Sequence, residues 1–258
     1  MYKIVFFDVD GTLLSEVDRS LAASTKEAVT ALIDKGIKVV IATGRPHNMC
    51  QPFLELGIDN IISANGALIK CKHETIHQSL LAPETVRELS EFAKLNGSGL
   101  SYFTDRLAMN GMGRQNERVQ EALFETLGLT QYPDAMGSLV DEVCCMCLYA
   151  DEDEAGKYVE HFPTLRFERF HGYVLNVLEE TKVCKSTAMR KVLEHYQIDA
   201  SESIAFGDGG NDMDMLAAAG LGIAMGNAHD ALKQQADFIT LKSSEGGIDY
   251  ALRKFGVI

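Results

Sequence analysis

"FFDVDGTLL", residues 6–14, sets two acids, Asp8 and Asp10, directly after an apolar run and directly before a glycine. Ile4–Phe7 is a short β-rich run ending at Asp8. Two carboxylates at the end of a buried strand repel each other and sit half out of water, so they need a counter-charge. The pattern recurs near the other end of the chain, where "SIAFGD" (203–208) is a β-rich run ending at Asp208, with Asp212 four residues on. Between them, "IKVVIAT" (37–43) is a continuous apolar run ending at Thr43. Unbroken hydrophobicity over such a length marks a parallel strand covered on both faces.

The stretches around these runs alternate with them. "STKEAVTALIDKG" (24–36) reads as a helix capped by Ser24 or Thr25, with Ala28, Val29, Leu32 and Ile33 as its apolar face and Gly36 as its stop. Strand, helix, strand makes a right-handed crossover. "GRPHNMCQPFLEL" (44–56) begins a helix with Pro46 in its first turn. "DNIISANGALIK" (59–70) reads as strand, turn, strand about Asn65-Gly66. After residue 180, "KSTAMRKVLEHY", "SIAFGD", "NDMDMLAAAG", "LGIAM", "HDALKQQA" and "DFITL" alternate helix and strand, and a last helix ends the chain. This alternation predicts an α/β fold with a doubly wound parallel sheet.

Residues 83–180 have another texture: a helix "PETVRELSEFAKLNG", a glycine-containing loop-like stretch, a helix near 115–127, then strands at "DEVCCMCLYA", "LRFERF" and "YVLNVLEE". That is α+β, and it reads as an inserted domain. The expected division is 1–82 with 181–258 as one domain and 83–180 as the other, joined near Ala82-Pro83 and Glu180-Thr181.

Composition narrows the function. The length of 258 residues suffices for one large or two small domains without disulfides. A net charge of −13 lacks the basic footprint of a nucleic-acid binder. An anionic ligand would therefore need local positive charge or a cation at its site. Of six cysteines, Cys144, Cys145 and Cys147 fall on one strand reading, with Cys145 and Cys147 on one face and Cys144 on the other. No second cysteine or histidine pair stands at zinc-finger spacing, so they read as small buried residues in a reducing compartment. No secretory leader pattern opens the sequence, and no apolar run approaches the roughly 20 residues of a membrane span. The expectation is a cytoplasmic protein with no membrane or nucleic-acid partner; the oligomeric state is left open.

Ligands of open parallel sheets bind beyond the carboxyl ends of the strands. Asp8 and Asp10, Thr43, the Asn65 turn, and Asp208 with Asp212 all fall at such ends, and Lys185, near a helix start, could point at the same place. Taken singly, "DVDGT" and "GDGGND" could be capped turns and Lys185 a surface lysine. Together, four carboxylates on one sheet edge call for a divalent cation, and all-oxygen ligation suits Mg²⁺ first. One carboxylate could then attack phosphorus, while the other, two residues on and on the same face of the segment, passes a proton to the leaving oxygen.

With those residues in place the chain resembles a family. Asp8-Val9-Asp10-Gly11-Thr12, Thr43-Gly44-Arg45, Lys185 and Gly207-Asp208-Gly209-Gly210-Asn211-Asp212 resemble, in order, the four motifs of the haloacid dehalogenase superfamily. "ANGALI" (64–69), "AMGNAHDALKQQAD" (224–237) and "EGGIDYAL" (245–252) are similar to its Cof-like sugar-phosphatase branch. The resemblance covers about 160 residues of the outer segments and in the middle extends to layout alone. It implies a Rossmann-like core with the insertion at 83–180 as a cap, and a Mg²⁺-dependent phosphatase acting on small phosphorylated metabolites such as sugar phosphates. It also implies roles. Asp8 would be the nucleophile that carries an aspartyl phosphate, and Asp10 general acid and then general base. Thr43, Gly44 and the backbone after them would hold the phosphoryl oxygens, supported by Asn211. Lys185 would neutralise charge on the phosphoryl group and on Asp8. Asp8, the Asp10 backbone carbonyl and Asp208 would bind Mg²⁺, with Asp212 directly or through water. An Asp at position 10 favours phosphatase or phosphomutase over relatives that only hold a phosphoenzyme and carry Thr there. The sequence departs from the branch at Ser186, where Gly often follows the lysine, and at Gly247, where Val is common. Two alternatives stay open: a phosphomannomutase-like phosphomutase and a catalytically silent sugar-phosphate-binding regulator. In the insertion Arg106, Asn110, Arg114, Arg169 and His171 could reach a sugar or phosphate, as could His47.

Overall fold

The structure, a computed structural model, describes the chain except residues 73, 105, 136–141 and 180–182. The chain folds as two bodies. One comprises Met1–Gly44, Met49–His77 and Cys184–Ile258; the other comprises Arg45–Asn48 and Gln78–Val183. The expected join at Ala82-Pro83 falls at the start of a helix inside the second body, and the one at Glu180-Thr181 lies outside the described residues.

The first body is built on a sheet in the order β13 (Phe238–Ile239), β12 (Leu221–Ala224), β11 (Ser203–Gly207), β1 (Ile4–Phe7), β2 (Lys38–Ala42), β3 (Asn60–Ser63), β4 (Leu68–Cys71), β5 (Glu74–Gln78). From β13 to β3 every neighbouring pair is parallel; β4 turns back antiparallel on β3 across the Ala64–Gly66 turn. The central strands β1, β2, β11 and β12 are largely apolar because both faces are covered, whereas the edge strand β5 is polar and only partly buried. Val5 and Phe7 of β1 point into a cluster with Val29 and Leu32 of α1 (Ala23–Asp34) and Ile248 and Leu252 of α9 (Gly247–Lys254). Ile4 and Phe6 point the other way, onto Met189 and Val192 of α6 (Lys185–Tyr196), Leu216 of α7 (Met213–Ala218) and Leu232 of α8 (Asp230–Gln235). Each such side chain contributes about 1.5–3 kcal/mol on burial. The fold is the doubly wound α/β arrangement. β1 lies where the strand order reverses, with β2 on one side and β11 on the other, and that switch point is where such sheets bind ligands.

The second body has a sheet in the order β7 (Leu107–Met109), β6 (Gly99–Phe103), β8 (Cys145–Tyr149), β10 (Val174–Glu179), β9 (Leu165–His171), antiparallel at every pairing. α3 (Pro83–Leu95) and α5 (Glu152–His161) cover one face through Val86, Leu89, Ala155 and Tyr158. α4 (Glu117–Leu127) starts at Asn116, whose side chain accepts from the Arg118 N–H, and stops at Gly128. Cys144, Cys145 and Cys147 are buried, and Asn176 Oδ1 lies 3.3 Å from Cys147 Sγ. No described helix is long and apolar enough to cross a membrane.

Local structure corrects several readings. α1 is capped at Ala22, and neither Ser24 nor Thr25 caps it; both fall inside its first turn. The segment after Thr43 is a 3₁₀ turn, His47–Cys50, leading into the one-turn helix α2 (Gln51–Leu54), so Pro52 rather than Pro46 occupies the helix start. β5, β6, β7 and α5 stand where the sequence pattern predicts no element.

Candidate active site

Parallel register carries three loops to one edge. Phe7 of β1 is level with Phe206 of β11 and Ile41 of β2, and the Phe7 and Phe206 rings stack with centroids 5.0 Å apart. Asp8, Asp208 and Thr43 follow those strands within one or two residues. Carboxylate oxygens of Asp8, Asp208 and Asp212 lie within 4.8 Å of one another. Asp10 is exposed and outside this group, so three of the four expected carboxylates cluster.

Lys185 is the first residue of α6, and its side chain is fully buried. Its Nζ donates to Asp8 Oδ1 at 2.5 Å and to Asp212 Oδ1 at 2.6 Å. The other Asp212 oxygen accepts from the backbone N–H groups of Asp208 and Gly209 at 3.1 and 2.9 Å. Asp212 thus ties the lysine to the loop that carries Asp208. A Cβ at Gly207 would stand about 2.5 Å from the Asp212 side chain, which is why that strand ends in glycine.

Asp208 is held without a lysine. Thr12 Oγ1 donates to its Oδ1 at 3.0 Å, and Asn227 Nδ2 approaches its Oδ2 at 3.3 Å while also donating to the Gly11 carbonyl at 2.8 Å. Asn227 Oδ1 in turn accepts from the Ser243 N–H. Gly11 has φ +81°, and a side chain there would run into the Asp208 carboxylate. Gly11→Ala is therefore expected to lower Tm by several degrees through backbone strain and displacement of Asp208, checked by thermal melting. The loop is also held by Glu16, whose carboxylate accepts from Ser243 and Ser244. Desolvation is the largest single influence on Glu16 and opposes its charge, but the hydrogen bonds from Ser243, Ser244 and the backbone together outweigh it and pull Glu16 down to about 2.

Three carboxylates against one ammonium leave excess negative charge. Burial raises Asp8 well above the ordinary carboxylate range; Asp212 and Asp208 add to the rise and Lys185 opposes it. Burial and then Asp212 push Asp208 up to about 7. Lys185 is also raised: desolvation disfavours its charge, but Asp212 and Asp8 more than offset that. Both acids are thus poised to exchange a proton for a cation. The candidate ligand atoms of Asp8, Asp208 and Asp212 are all carboxylate oxygens, which fits a hard divalent ion.

Thr43 is buried, its N–H on the Ile62 carbonyl at 2.8 Å. Asn211 sits in the 3₁₀ turn Gly210–Asp212 and donates one Nδ2 hydrogen to Asn65 Oδ1 at 3.0 Å. Thr12, Asn65 and Asn227 were given no role by the sequence, although each lies in a stretch that stood out. Three of the polar candidates of the insertion are hydrogen-bonded within their own body. Asn110 braces its turn through Leu100, Met112 and Ser98; Arg169 donates to the Ala150 and Gly172 carbonyls; His171 pairs with Glu125 at 2.8 Å.

Comparison with known proteins places the chain in a family. Residues 5–252 match the family model of haloacid dehalogenase-like hydrolases. The chain is 32% identical to YkrA of Bacillus subtilis, over 99% of this chain and 98% of that protein. Among solved structures, the phosphatase BT1666 from Bacteroides thetaiotaomicron is 30% identical with a TM-score of 0.86, covering 100% of this chain and 96% of its own. The subclass IIB sugar phosphatase BT4131 is 31% identical with a TM-score of 0.86, covering 99% and 100%. This chain is a phosphatase and belongs to the haloacid dehalogenase-like hydrolase family.

Proposed function

We propose that the chain hydrolyses monoesters of small phosphorylated metabolites, sugar phosphates foremost, through a phosphoryl group carried on Asp8, with Mg²⁺ as cofactor. The observation that carries the reading is Lys185 set between Asp8 and Asp212 with Asp208 alongside. The sugar-phosphate class rests on the likeness to BT4131. The residues that select among monoesters are assigned to the insertion at 83–180, because the phosphoryl chemistry is common to all of them.

An Asp8 oxygen bonds to phosphorus as the bond from phosphorus to the ester oxygen breaks, and Asp10 gives its proton to the leaving oxygen. Asp10, now ionised, takes a proton from water as the water oxygen bonds to phosphorus. The bond from phosphorus to Asp8 then breaks, returning inorganic phosphate, the alcohol and the starting acids. Asp10 suits the shuttle because it is exposed, unlike Asp8. Lys185, Thr43, the Gly44 backbone and Asn211 hold the phosphoryl oxygens, and such positioning and charge compensation supply most of the rate in phosphoryl transfer. Mg²⁺ would be held by Asp8, Asp208 and the Asp10 carbonyl, with Asp212 directly or through water, and would offset charge on the transferring group. Phosphate release from p-nitrophenyl phosphate without a bisphosphate activator, lost on chelation and restored by Mg²⁺, tests the assignment. Dependence on such an activator would instead indicate a mutase, and an absence of turnover a binding protein.

The metal also has a pH signature. Folded Asp208 keeps its proton up to about 7, whereas the unfolded chain releases it near 3.8. Between those values the folded state binds more protons, so the stability of the metal-free protein falls as pH rises, by linkage. A bound cation takes the place of that proton. Mg²⁺ is therefore expected to raise Tm more at pH 8 than at pH 5, in melts with and without chelator. Equal gains at both would separate the cation from these carboxylates.

A further inference from the structure

We propose that Asn65 is a positioning residue of the phosphoryl site, fixing the Thr43–Gly44 segment and Asn211 relative to each other; this rests on the phosphatase reading above. Asn65 lies in the turn between β3 and β4 and is only 2% exposed. Its backbone is left-handed, φ 54° and ψ 25°, and it follows another left-handed residue, Ala64 at φ 50°. Asparagine adopts this conformation readily, alanine at a cost.

The turn reaches three of the loops that carry the site. The Asn65 N–H donates to the Thr43 carbonyl at 3.0 Å. The Nδ2 and Oδ1 edge of the Asn65 amide meets Gly44, where a Cβ would stand 3.2 Å from both atoms. Oδ1 accepts from Asn211 Nδ2 at 3.0 Å. The next residue, Gly66, packs so closely on the Cys184 carbonyl that a Cβ would come within 2.6 Å of it, one residue before Lys185. One three-residue turn therefore gauges the segments bearing Thr43, Lys185 and Asn211, which are far apart in sequence.

The side chain is there at a cost. Asn65 Nδ2 is buried and has no hydrogen-bond partner among the described residues, and an unmet buried donor opposes folding. A glycine would make the left-handed turn without it. What the amide adds is orientation. With one Nδ2 hydrogen of Asn211 held by Asn65, the other has a fixed direction in which to meet an oxygen of a tetrahedral anion. The surface of Gly44, backed by the same amide, keeps its place beside it.

The test uses the full chain with Mg²⁺, comparing Asn65→Gly, Asn211→Ala and the double variant. Glycine keeps the turn and removes only the amide. The readouts are affinity for inorganic phosphate by calorimetry, kcat and KM on p-nitrophenyl phosphate, and thermal melting. Asn65→Gly is expected to weaken phosphate binding about tenfold, the scale of one lost hydrogen bond, at a Tm close to wild type. Because Asn65 acts through Asn211, the double variant should bind little worse than Asn211→Ala alone. Should Asn65→Gly not fold, Asn65→Ser, too short to reach Asn211, is read in the same assays. Phosphate affinity unchanged from wild type overturns the assignment, even if Tm falls, since the role would then be structural. Additive losses in the double variant overturn it as well. A wild type that binds phosphate but releases none from the ester overturns the phosphatase reading while the affinities still decide Asn65; a wild type that binds no phosphate overturns both.

Discussion

Asp8→Asn is expected to cut phosphate release by about 10⁴-fold or more, the scale found when a covalent nucleophile is removed, while leaving the protein as stable as before or more so. The two readouts move apart for a physical reason. Asparagine keeps the shape of the side chain, and its oxygen can still accept from Lys185 Nζ, which Asp8 Oδ1 does at 2.5 Å. What disappears is a buried negative charge that Asp208 and Asp212 repel and that burial disfavours. Phosphate release and thermal melting on the same preparation check this. A fall in both would mean that Asp8 braces the fold; near-wild-type turnover would remove the phosphoryl-carrying step from Asp8. Acid quench during turnover should trap labelled phosphate on the wild type and none on Asp8→Asn.

How much of this could be read from the sequence depended on which signal each element leaves. The central strands of the first body are covered on both faces, so they read as apolar runs, and the acids stand out because they end those runs. That logic places Asp8, Thr43 and Asp208, while Lys185 is placed by its position near a helix start. The second body left weaker marks. β6 is buried at all five positions, yet Gly99 and Ser101 interrupt its apolar run and hide it. α5 buries little beyond Ala155 and Tyr158 and carries Gly156, so no broad apolar face announces it; its signal was the capping box of Asp151 and Glu154, which was there to be read. α1 shows the reverse case, with good capping residues inside the first turn and an alanine at the cap. Contacts distant in sequence leave no local trace at all. Thr12 on Asp208, Asn227 on Gly11 and Asn65 on Asn211 exist only once the loops have met. The glycines hinted at them: Gly11, Gly44 and Gly207 each sit where a side chain would strike one of the site's polar groups.

Lys185→Met is expected to harm both activity and folding, and the folding defect should be repairable without restoring activity. The lysine is the described cation bonded to both Asp8 and Asp212, and its side chain is fully buried. Methionine fills the space but leaves two carboxylates facing each other in a medium that cannot solvate them. Breaking a buried pair from one side costs about 3–5 kcal/mol, a drop in Tm on the order of 10 °C for a chain of this size. The deficit has a pH direction. Burial already raises Asp8 and Lys185 opposes that rise, so without the lysine Asp8 would hold in the folded state a proton that the unfolded chain has released, and the folded state loses ground as pH rises. The gap to wild type should be smallest near pH 5 and largest near pH 8. Adding Asp212→Asn takes away one of the two charges; the asparagine oxygen can keep the backbone N–H groups of Asp208 and Gly209 that now hold Asp212 Oδ2. The double variant should recover most of the lost Tm, because replacing both partners of a buried pair costs far less than orphaning one. Turnover should stay down about 10³-fold in both variants, as when a charge-stabilising donor is removed from a phosphoryl or acyl transfer site. If the double variant melts no higher than Lys185→Met, the instability does not come from orphaned carboxylates. If turnover returns with stability, the positive charge of Lys185 is not part of the chemistry.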